Sequence, residues 1–123
     1  MIDTRKELGN TGESIAAQFL KKIGYKILAQ NYRTKHGEVD VIAQKDDVIA
    51  FVEVKTRTTT YVPISSVVTP TKQRHIAYTA QHYALATGIK DKVLRFDIIT
   101  IQGNGTDHQL IHIPNAFQVR RSR

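Results

Sequence analysis

The stretch VIAFVEVK at residues 48–55 predicts a central β-strand that carries two charged side chains. Its residues are mainly apolar and β-branched, which is typical of a strand with both faces covered. Successive side chains of a strand alternate between faces, so Glu53 and Lys55 share one side and Val54 takes the other. Charges are costly in an apolar strand unless they are paired or used. Glu53 and Lys55 therefore either neutralise each other or belong to a polar site.

Two further strands are predicted before this one, at residues 25–33 and 38–43, and short turns join all three. Such an arrangement is typical of an antiparallel meander. If the second and third strands pair, Asp40 comes alongside Glu53.

Two carboxylates on one sheet face form an oxygen site that suits Mg²⁺ or Mn²⁺, and the carbonyl of Val54 is a further candidate ligand. Lys55 beside such a metal can hold the attacking water or stabilise charge on a phosphate. The motif is short, and simple neutralisation of Glu53 by Lys55 is the competing interpretation.

Helices are predicted on either side of the meander. Apolar residues recur at helical spacing from Ile15 to Ile23, with Asn10 as N-cap, Glu13 in the capping-box position and Gly24 at the end.

A second helix is predicted to start at Pro70, with Thr69 as its cap, and to run to about Ala86 before closing near Gly88. Strands at residues 93–101 and 110–113 follow, separated by a turn at 103–107.

The order α-β-β-β-α-β-β predicts an α/β fold with a mixed sheet flanked by helices. The helical connection between the third and fourth strands favours a parallel pair with a right-handed crossover. We expect one domain over residues 1–117, a mobile loop at 56–66 and a flexible basic tail at 118–123.

Composition narrows the class of protein. The 123 residues include no cysteine, which excludes disulfides, a thiol nucleophile and cysteine-bound metals. The sequence shows no membrane-spanning run and no signal peptide, so we expect a cytoplasmic protein without a membrane partner.

The net charge is +7, and residues 54–90 contain no acidic residue. This surface predicts a polyanion partner, nucleic acid first, although a solvated basic face without a partner is the alternative.

Two motifs make the sequence recognisable: GEVD at residues 37–40 and FVEVKTR at 51–57. Together they resemble the PD-(D/E)xK nuclease signature, with Val39 where that signature often has proline. The whole chain resembles the YraN-like family of uncharacterised bacterial proteins, which has a restriction-endonuclease-like fold with a three-layer core. The further matching segments are Gly12-Glu13, Gly24-Tyr25, Asn31-Tyr32-Arg33, Lys72, Arg95-Phe96-Asp97 and Asn115-Ala116-Phe117.

The resemblance implies roles for individual residues. Asp40 and Glu53 match the metal ligands, joined by the carbonyl of Val54, and Lys55 matches the catalytic lysine. Glu13 matches a glutamate that Holliday-junction resolvases place near the metal, a role compatible with capping.

The implied activity is hydrolysis of DNA phosphodiester bonds by a Mg²⁺- or Mn²⁺-dependent endonuclease, on branched or structured DNA. A homodimer and a location at the nucleoid are consistent with the likeness to resolvases. A nucleic-acid-binding or partner-binding module of the same fold, without robust catalysis, is the alternative. The residues do not separate DNA from RNA.

Four cationic residues are candidates for nucleic-acid contact: Arg33, Arg57, Lys72 and Arg74. Lys72 and Arg74 fall in the first turn of the second helix, where a cation is unfavourable unless a phosphate or a carboxylate lies near. Tyr78 and Tyr83 on this helix either stack on bases or pack at the edge of the core.

Overall fold

The computed structural model describes residues 4–57, 67–104 and 107–118, and within them it shows two helices and one five-stranded sheet. The predicted α/β class and the predicted order of elements are confirmed. In chain order the elements are α1 (Thr4–Lys22), β1 (Lys26–Thr34), β2 (Gly37–Lys45), β3 (Val48–Arg57), α2 (Pro70–Thr87), β4 (Val93–Asn104) and β5 (Asp107–Phe117).

The strands lie side by side in chain order, with β3 in the centre. β1, β2 and β3 form an antiparallel meander, β3 and β4 run parallel, and β5 returns antiparallel to β4. The parallel pair is the one whose connection passes through α2, as predicted, because parallel neighbours need a crossover.

The two helices cover opposite faces of the sheet, so the molecule has three layers. Side chains alternate along β3, and Phe51 therefore packs with α2 while Val52 packs with α1. The α1 side of the core comprises Ala16, Leu20, Val41, Ala43, Ala50, Val52, Ile99 and Ile101. The α2 side includes Val39, Ile42, Ile49, Phe51, Ile76, Ala80, Tyr83 and Ile98. This arrangement is consistent with an α/β nuclease-like core.

The predicted ends of α2 are confirmed. The Thr69 side chain accepts a hydrogen bond from the backbone N–H of Lys72, and Pro70 occupies the first helical position. Gly88 closes the helix in the left-handed conformation, with φ of 69°. The cap therefore fixes where the first turn of α2 meets the sheet.

The predicted start of α1 was wrong. The helix begins at Thr4 and runs through Asn10, so Glu13 lies in its interior and has no capping-box role. An unfavourable residue costs a helix interior about 1 kcal/mol at most, apart from proline, so Gly9 and Asn10 do not stop it. The predicted end is confirmed, because Gly24 has φ of 100°.

The last strand is longer than predicted, since β5 spans Asp107–Phe117 and contains Pro114. It lies at the edge of the sheet, where a residue without an N–H is tolerated. The predicted loop also begins later, because Thr56 and Arg57 belong to β3. Residues 58–66 of that loop, residues 105–106 of the predicted turn and residues 119–123 of the predicted tail lie outside the described part.

Asp97 is a fully buried carboxylate on β4 that joins several elements. It accepts hydrogen bonds from the Arg95 guanidinium at 2.7 and 2.8 Å and from the backbone N–H of Asn115 at 3.0 Å. His112 Nε2 lies 2.9 Å from it. Arg95 also donates to the Tyr25 hydroxyl, which follows α1. Burial alone would raise the pKa of Asp97, but the hydrogen bonds from His112, Arg95 and Asn115 lower it below its ordinary value.

We expect Asp97→Ala to lower the free energy of unfolding by about 3–5 kcal/mol, because it leaves the half-buried Arg95 charge without its partner. Urea denaturation at pH 7 measures this loss. Asp47→Ala, in an exposed turn, is the matched control and should change stability by no more than about 0.5 kcal/mol. Equal stability of the two variants would contradict the structural role of Asp97.

Candidate active site

The candidate site lies where β2 and β3 separate. Their paired residues run from Lys45–Val48 to Val41–Val52 and stop there. Beyond this point the Asp40 side chain bridges the two strands, because its Oδ2 accepts a hydrogen bond of 2.8 Å from the backbone N–H of Val54. The carboxylate thus replaces a backbone acceptor and is held next to Glu53.

Glu53 is buried on the α2 face of β3, with 7% of its surface exposed. Its Oε1 lies 2.6 Å from Nζ of Lys72, in the first turn of α2. A carboxylate so deep in the sheet needs a cation or a polar partner. The unfavourable position of a lysine at a helix N-terminus is thereby explained by a nearby carboxylate, one of the two predicted reasons.

A cavity of about 190 Å³ opens between these groups. It lies between the start of β2, the middle of β3 and the first turns of α2. Its lining consists of Gly37, Glu38, Asp40, Glu53, Lys72, His75 and Ile76. The cavity therefore brings Asp40 and Glu53 to one solvent-accessible place.

Four carboxylates act on each other around this cavity: Glu13, Glu38, Asp40 and Glu53. Burial, and then the negative charge of Glu53, raises the pKa of Asp40 to about 7. Burial also raises the pKa of Glu13, against a hydrogen bond from Asn31, and the charges of Glu38 and Glu53 raise it further. Three of the 11 acidic residues of a chain with net charge +7 thus line one cavity, and a fourth, Glu13, is near enough to interact with them electrostatically. Such crowding disfavours ionisation unless a cation is bound.

Only some of the predicted catalytic residues line the cavity. Asp40 and Glu53 line the cavity. Glu13 does not line it, but it is close enough for its negative charge to raise the pKa of Asp40. Lys55 is half-buried on the same face as Glu53, but it does not line the cavity. It forms no hydrogen bond or ion pair with a described residue. The role of the Val54 carbonyl as a ligand stays a prediction.

The four predicted cationic contacts also differ in their surroundings. Arg33 is exposed and lies 3.4 Å from Glu38, while Lys72 is engaged by Glu53. Arg74 is exposed and donates to the Thr71 hydroxyl. The Nε atom of Arg57 is buried and has no hydrogen-bond partner within the described ranges.

The donor set fits a hard divalent cation only in part. Carboxylate oxygens are the right ligand type. Among the described side chains, however, no three His, Asp or Glu groups are arranged to hold a metal. Mg²⁺ is usually bound through one or two carboxylates together with water and substrate phosphate, so Asp40 and Glu53 are a sufficient protein contribution.

Sequence reasoning did not assign two residues that line the cavity, Glu38 and His75. Glu38 precedes Asp40 by two positions on the same strand, so strand alternation could have placed it beside Asp40. No comparable signal was available for His75, because its place depends on how α2 docks against the β1–β2 turn.

Asp40 gives the stability of the protein a specific pH dependence. Its folded-state pKa of about 7 lies above the ordinary 3.8, so the folded state binds this proton more tightly. This contribution of Asp40 to the free energy of unfolding is fully present below the ordinary pKa of 3.8 and is lost as the pH rises through about 7.

We expect Asp40→Asn to stabilise the metal-free protein at pH 8 by about 1–3 kcal/mol, because the amide removes a crowded charge. The gain should shrink towards zero near pH 4, where the native carboxyl is protonated as well. Urea denaturation in EDTA at several pH values measures it. Asp47→Asn, which is exposed, is the control and should show no such trend. A gain that does not depend on pH would contradict charge crowding at Asp40.

No helix in the described residues is long and apolar enough to cross a membrane.

Comparison with known proteins identifies relatives along most of the chain. A protein from Geobacter metallireducens is 44% identical over 115 residues, covering 93% of this chain and 94% of its own. One from Caldicellulosiruptor saccharolyticus is 45% identical over 116 residues, covering 92% and 98% respectively. One from Myxococcus xanthus is 39% identical over 114 residues, covering 92% and 90%.

All three relatives are named UPF0102 proteins. The model of the uncharacterised protein family UPF0102 matches residues 12–101, which include α1 from Gly12, β1 to β3, α2 and most of β4. This family is the YraN-like family that the motifs predicted. The chain therefore belongs to the uncharacterised protein family UPF0102.

Proposed function

We propose that the protein is a metal-dependent nuclease that hydrolyses phosphodiester bonds in DNA. The observation that carries this proposal is the cavity shared by Asp40 and Glu53, where burial and the charge of Glu53 raise the pKa of Asp40 to about 7. Strongly perturbed groups in a cleft are typical of functional sites. Asp97, by contrast, is paired with Arg95, and its pKa is lowered.

The surroundings of the cavity support a phosphate-containing substrate. Arg57 lies on the same face of β3 as Glu53, and its Nε lacks a hydrogen-bond partner among the described residues. Lys55 stands between them on that face. Two cations in a strand without a described carboxylate partner suit a polyanion that arrives from outside.

The proposed role of each candidate residue follows from its position in the site. Asp40 and Glu53 would hold Mg²⁺ or Mn²⁺, with the Val54 carbonyl and Glu13 as further ligands, direct or through water. The metal would supply Lewis-acid stabilisation of the charge on the phosphate. Lys55 would orient the attacking water, and Arg57 would position the phosphate. Arg33 and Arg74 would contact the DNA backbone outside the cavity.

Lys72 has a different part in this proposal. Its ammonium group neutralises Glu53 in the absence of a metal, so it stabilises the buried carboxylate. Its side chain is 42% exposed and can turn towards solvent or a phosphate when a cation binds. It then becomes available for the nucleic-acid contact that the sequence predicted.

We expect Asp40→Asn and Glu53→Gln each to reduce the cleavage rate by about 100-fold or more, since each removes a charged ligand of the metal that would stabilise the reacting phosphate. The assay is cleavage of labelled duplex, single-stranded, flap and four-way-junction DNA and of RNA with Mg²⁺ or Mn²⁺. Asp46→Asn, in the exposed turn after β2, is the control and should cleave like the wild type. Cleavage that survives in folded Glu53→Gln would overturn the proposed mechanism.

We expect Lys72→Ala to tighten Mn²⁺ binding about fivefold, because the partly exposed ion pair that competes for Glu53 is worth about 1 kcal/mol. Isothermal titration at pH 7.5 without DNA measures this affinity. Arg74→Ala, also in the start of α2 but without contact to Glu53, should leave it unchanged. Weaker binding by Lys72→Ala would show that Lys72 does not compete with the metal.

A binding module of the same fold is the second candidate. The absence of a preformed three-ligand group among the described side chains favours it. In that case Lys72 permanently occupies the place of a metal on Glu53. No metal binding at millimolar concentration, together with salt-sensitive DNA binding, would decide for this candidate.

A further inference from the structure

A row of aromatic and imidazole side chains runs from the β1–β2 turn along α2. It consists of the exposed residues His36, Tyr78 and His82 and of Tyr32, which is half-buried against the core, and we call it the Tyr–His row. The rings of His36 and Tyr78 meet edge to face, with centroids 4.3 Å apart. The Tyr32 hydroxyl lies 2.8 Å from Nδ1 of His82.

Burial does not account for Tyr78. Tyr83, on the same helix, is 8% exposed and packs in the core, whereas Tyr78 is 48% exposed. Of the two predicted alternatives, packing at the core therefore applies to Tyr83 and leaves Tyr78 free to contact a partner.

The Tyr–His row is held rigidly. The hydroxyl groups of Thr34 and Thr79 lie 3.1 Å apart and join β1 to α2. Gly37 approaches α2 so closely that a Cβ there would lie 3.0 Å from Cβ of His75. A ligand that binds to a fixed surface loses little free energy in ordering it.

The row begins at the rim of the candidate active site. Gly37, next to His36, lines the cavity, and so do Lys72 and His75 on α2. Tyr78 is six residues after Lys72, a distance of about 9 Å along the helix axis. This corresponds to about two or three nucleotides at the 3.4 Å rise of a stacked strand. A strand with one phosphate in the cavity would thus carry neighbouring bases to the row.

Positive charge accompanies the rings. Lys35 precedes His36, and Arg74 lies four residues before Tyr78, on the same side of α2. Neither cation forms an ion pair within the described residues, and residues 54–90 contain no acid. Aromatic rings flanked by cations are the arrangement with which proteins bind single-stranded nucleic acid.

We propose that the Tyr–His row is a stacking platform for unpaired bases, so that the substrate is nucleic acid with a single-stranded segment next to the bond to be cut. The position of that bond rests on the proposed function. The stacking itself does not, because it requires neither metal nor catalysis. Bases within an intact duplex are already stacked on each other and are not available to the row.

The test compares two labelled strands of about 12 nucleotides, oligothymidylate and an abasic strand of equal length, by fluorescence anisotropy in EDTA. Both strands carry the same phosphates, and only the first carries bases. Wild type should bind the thymidylate about tenfold more tightly, and Tyr78→Leu should lose most of this preference. Tyr78→Phe keeps the ring and should retain the preference.

Ile111→Ser is the control, because Ile111 is 55% exposed and lies on β5, at the opposite edge of the sheet from β1. It should retain the wild-type preference. Equal binding of the two strands by wild type overturns the proposal, and so does a preference that Tyr78→Leu retains or that Ile111→Ser loses. His36→Ala, which removes the partner ring, gives an independent second variant and should weaken the preference as well.

The result is separable from the proposed nuclease activity. A base preference that depends on Tyr78, in a protein that cuts no strand with Mg²⁺ or Mn²⁺, supports the row and refutes the nuclease. Cleavage lost in Glu53→Gln, together with equal binding of the two strands, supports the nuclease and refutes the row. An oligouridylate strand run in parallel shows whether the ring accepts RNA as well as DNA.

Discussion

The hydrogen bond from the Val54 N–H to the Asp40 carboxylate is the contact on which the candidate site depends. It occurs where β2 and β3 stop pairing, so one side chain both completes the sheet and opens the cavity. An unsatisfied N–H this close to the core would be costly, and an acceptor is therefore required. Because the acceptor is a carboxylate, the same bond fixes a charged oxygen beside Glu53.

Asp97 is a buried carboxylate in a comparable backbone position, but its neighbours differ from those of Asp40. Like Asp40, it accepts a backbone N–H, that of Asn115, at a point where the register of two strands shifts. Arg95 and His112 surround it, and its pKa is lowered. Asp40 has other acids around it, and its pKa is raised. The same kind of contact is thus neutralised on β4 and crowded by like charges on β2, on either side of β3.

The sequence allowed prediction of the strands, of α2 and of the proximity of Asp40 to Glu53, because these depend on local patterns. Strand alternation placed Glu53 and Lys55 on one face, and the Thr69 and Gly88 caps defined α2. The start of α1 was missed because helix propensity at Asn10 is a weak signal. The contact of Lys72 with Glu53 and the place of His75 could not be predicted in this detail. They arise from the docking of α2 on the sheet, which joins residues far apart in the chain.

The two outer strands of the sheet are both irregular. β1 has a register shift between Ile27 and Ala29, and β5 has one opposite Asp97 and contains Pro114. Bulges and proline on an edge interrupt the row of free N–H and C=O groups that another strand would need. Both outer strands are therefore poor templates for the addition of a further strand, which counts against edge-to-edge aggregation of a sheet with such an apolar centre.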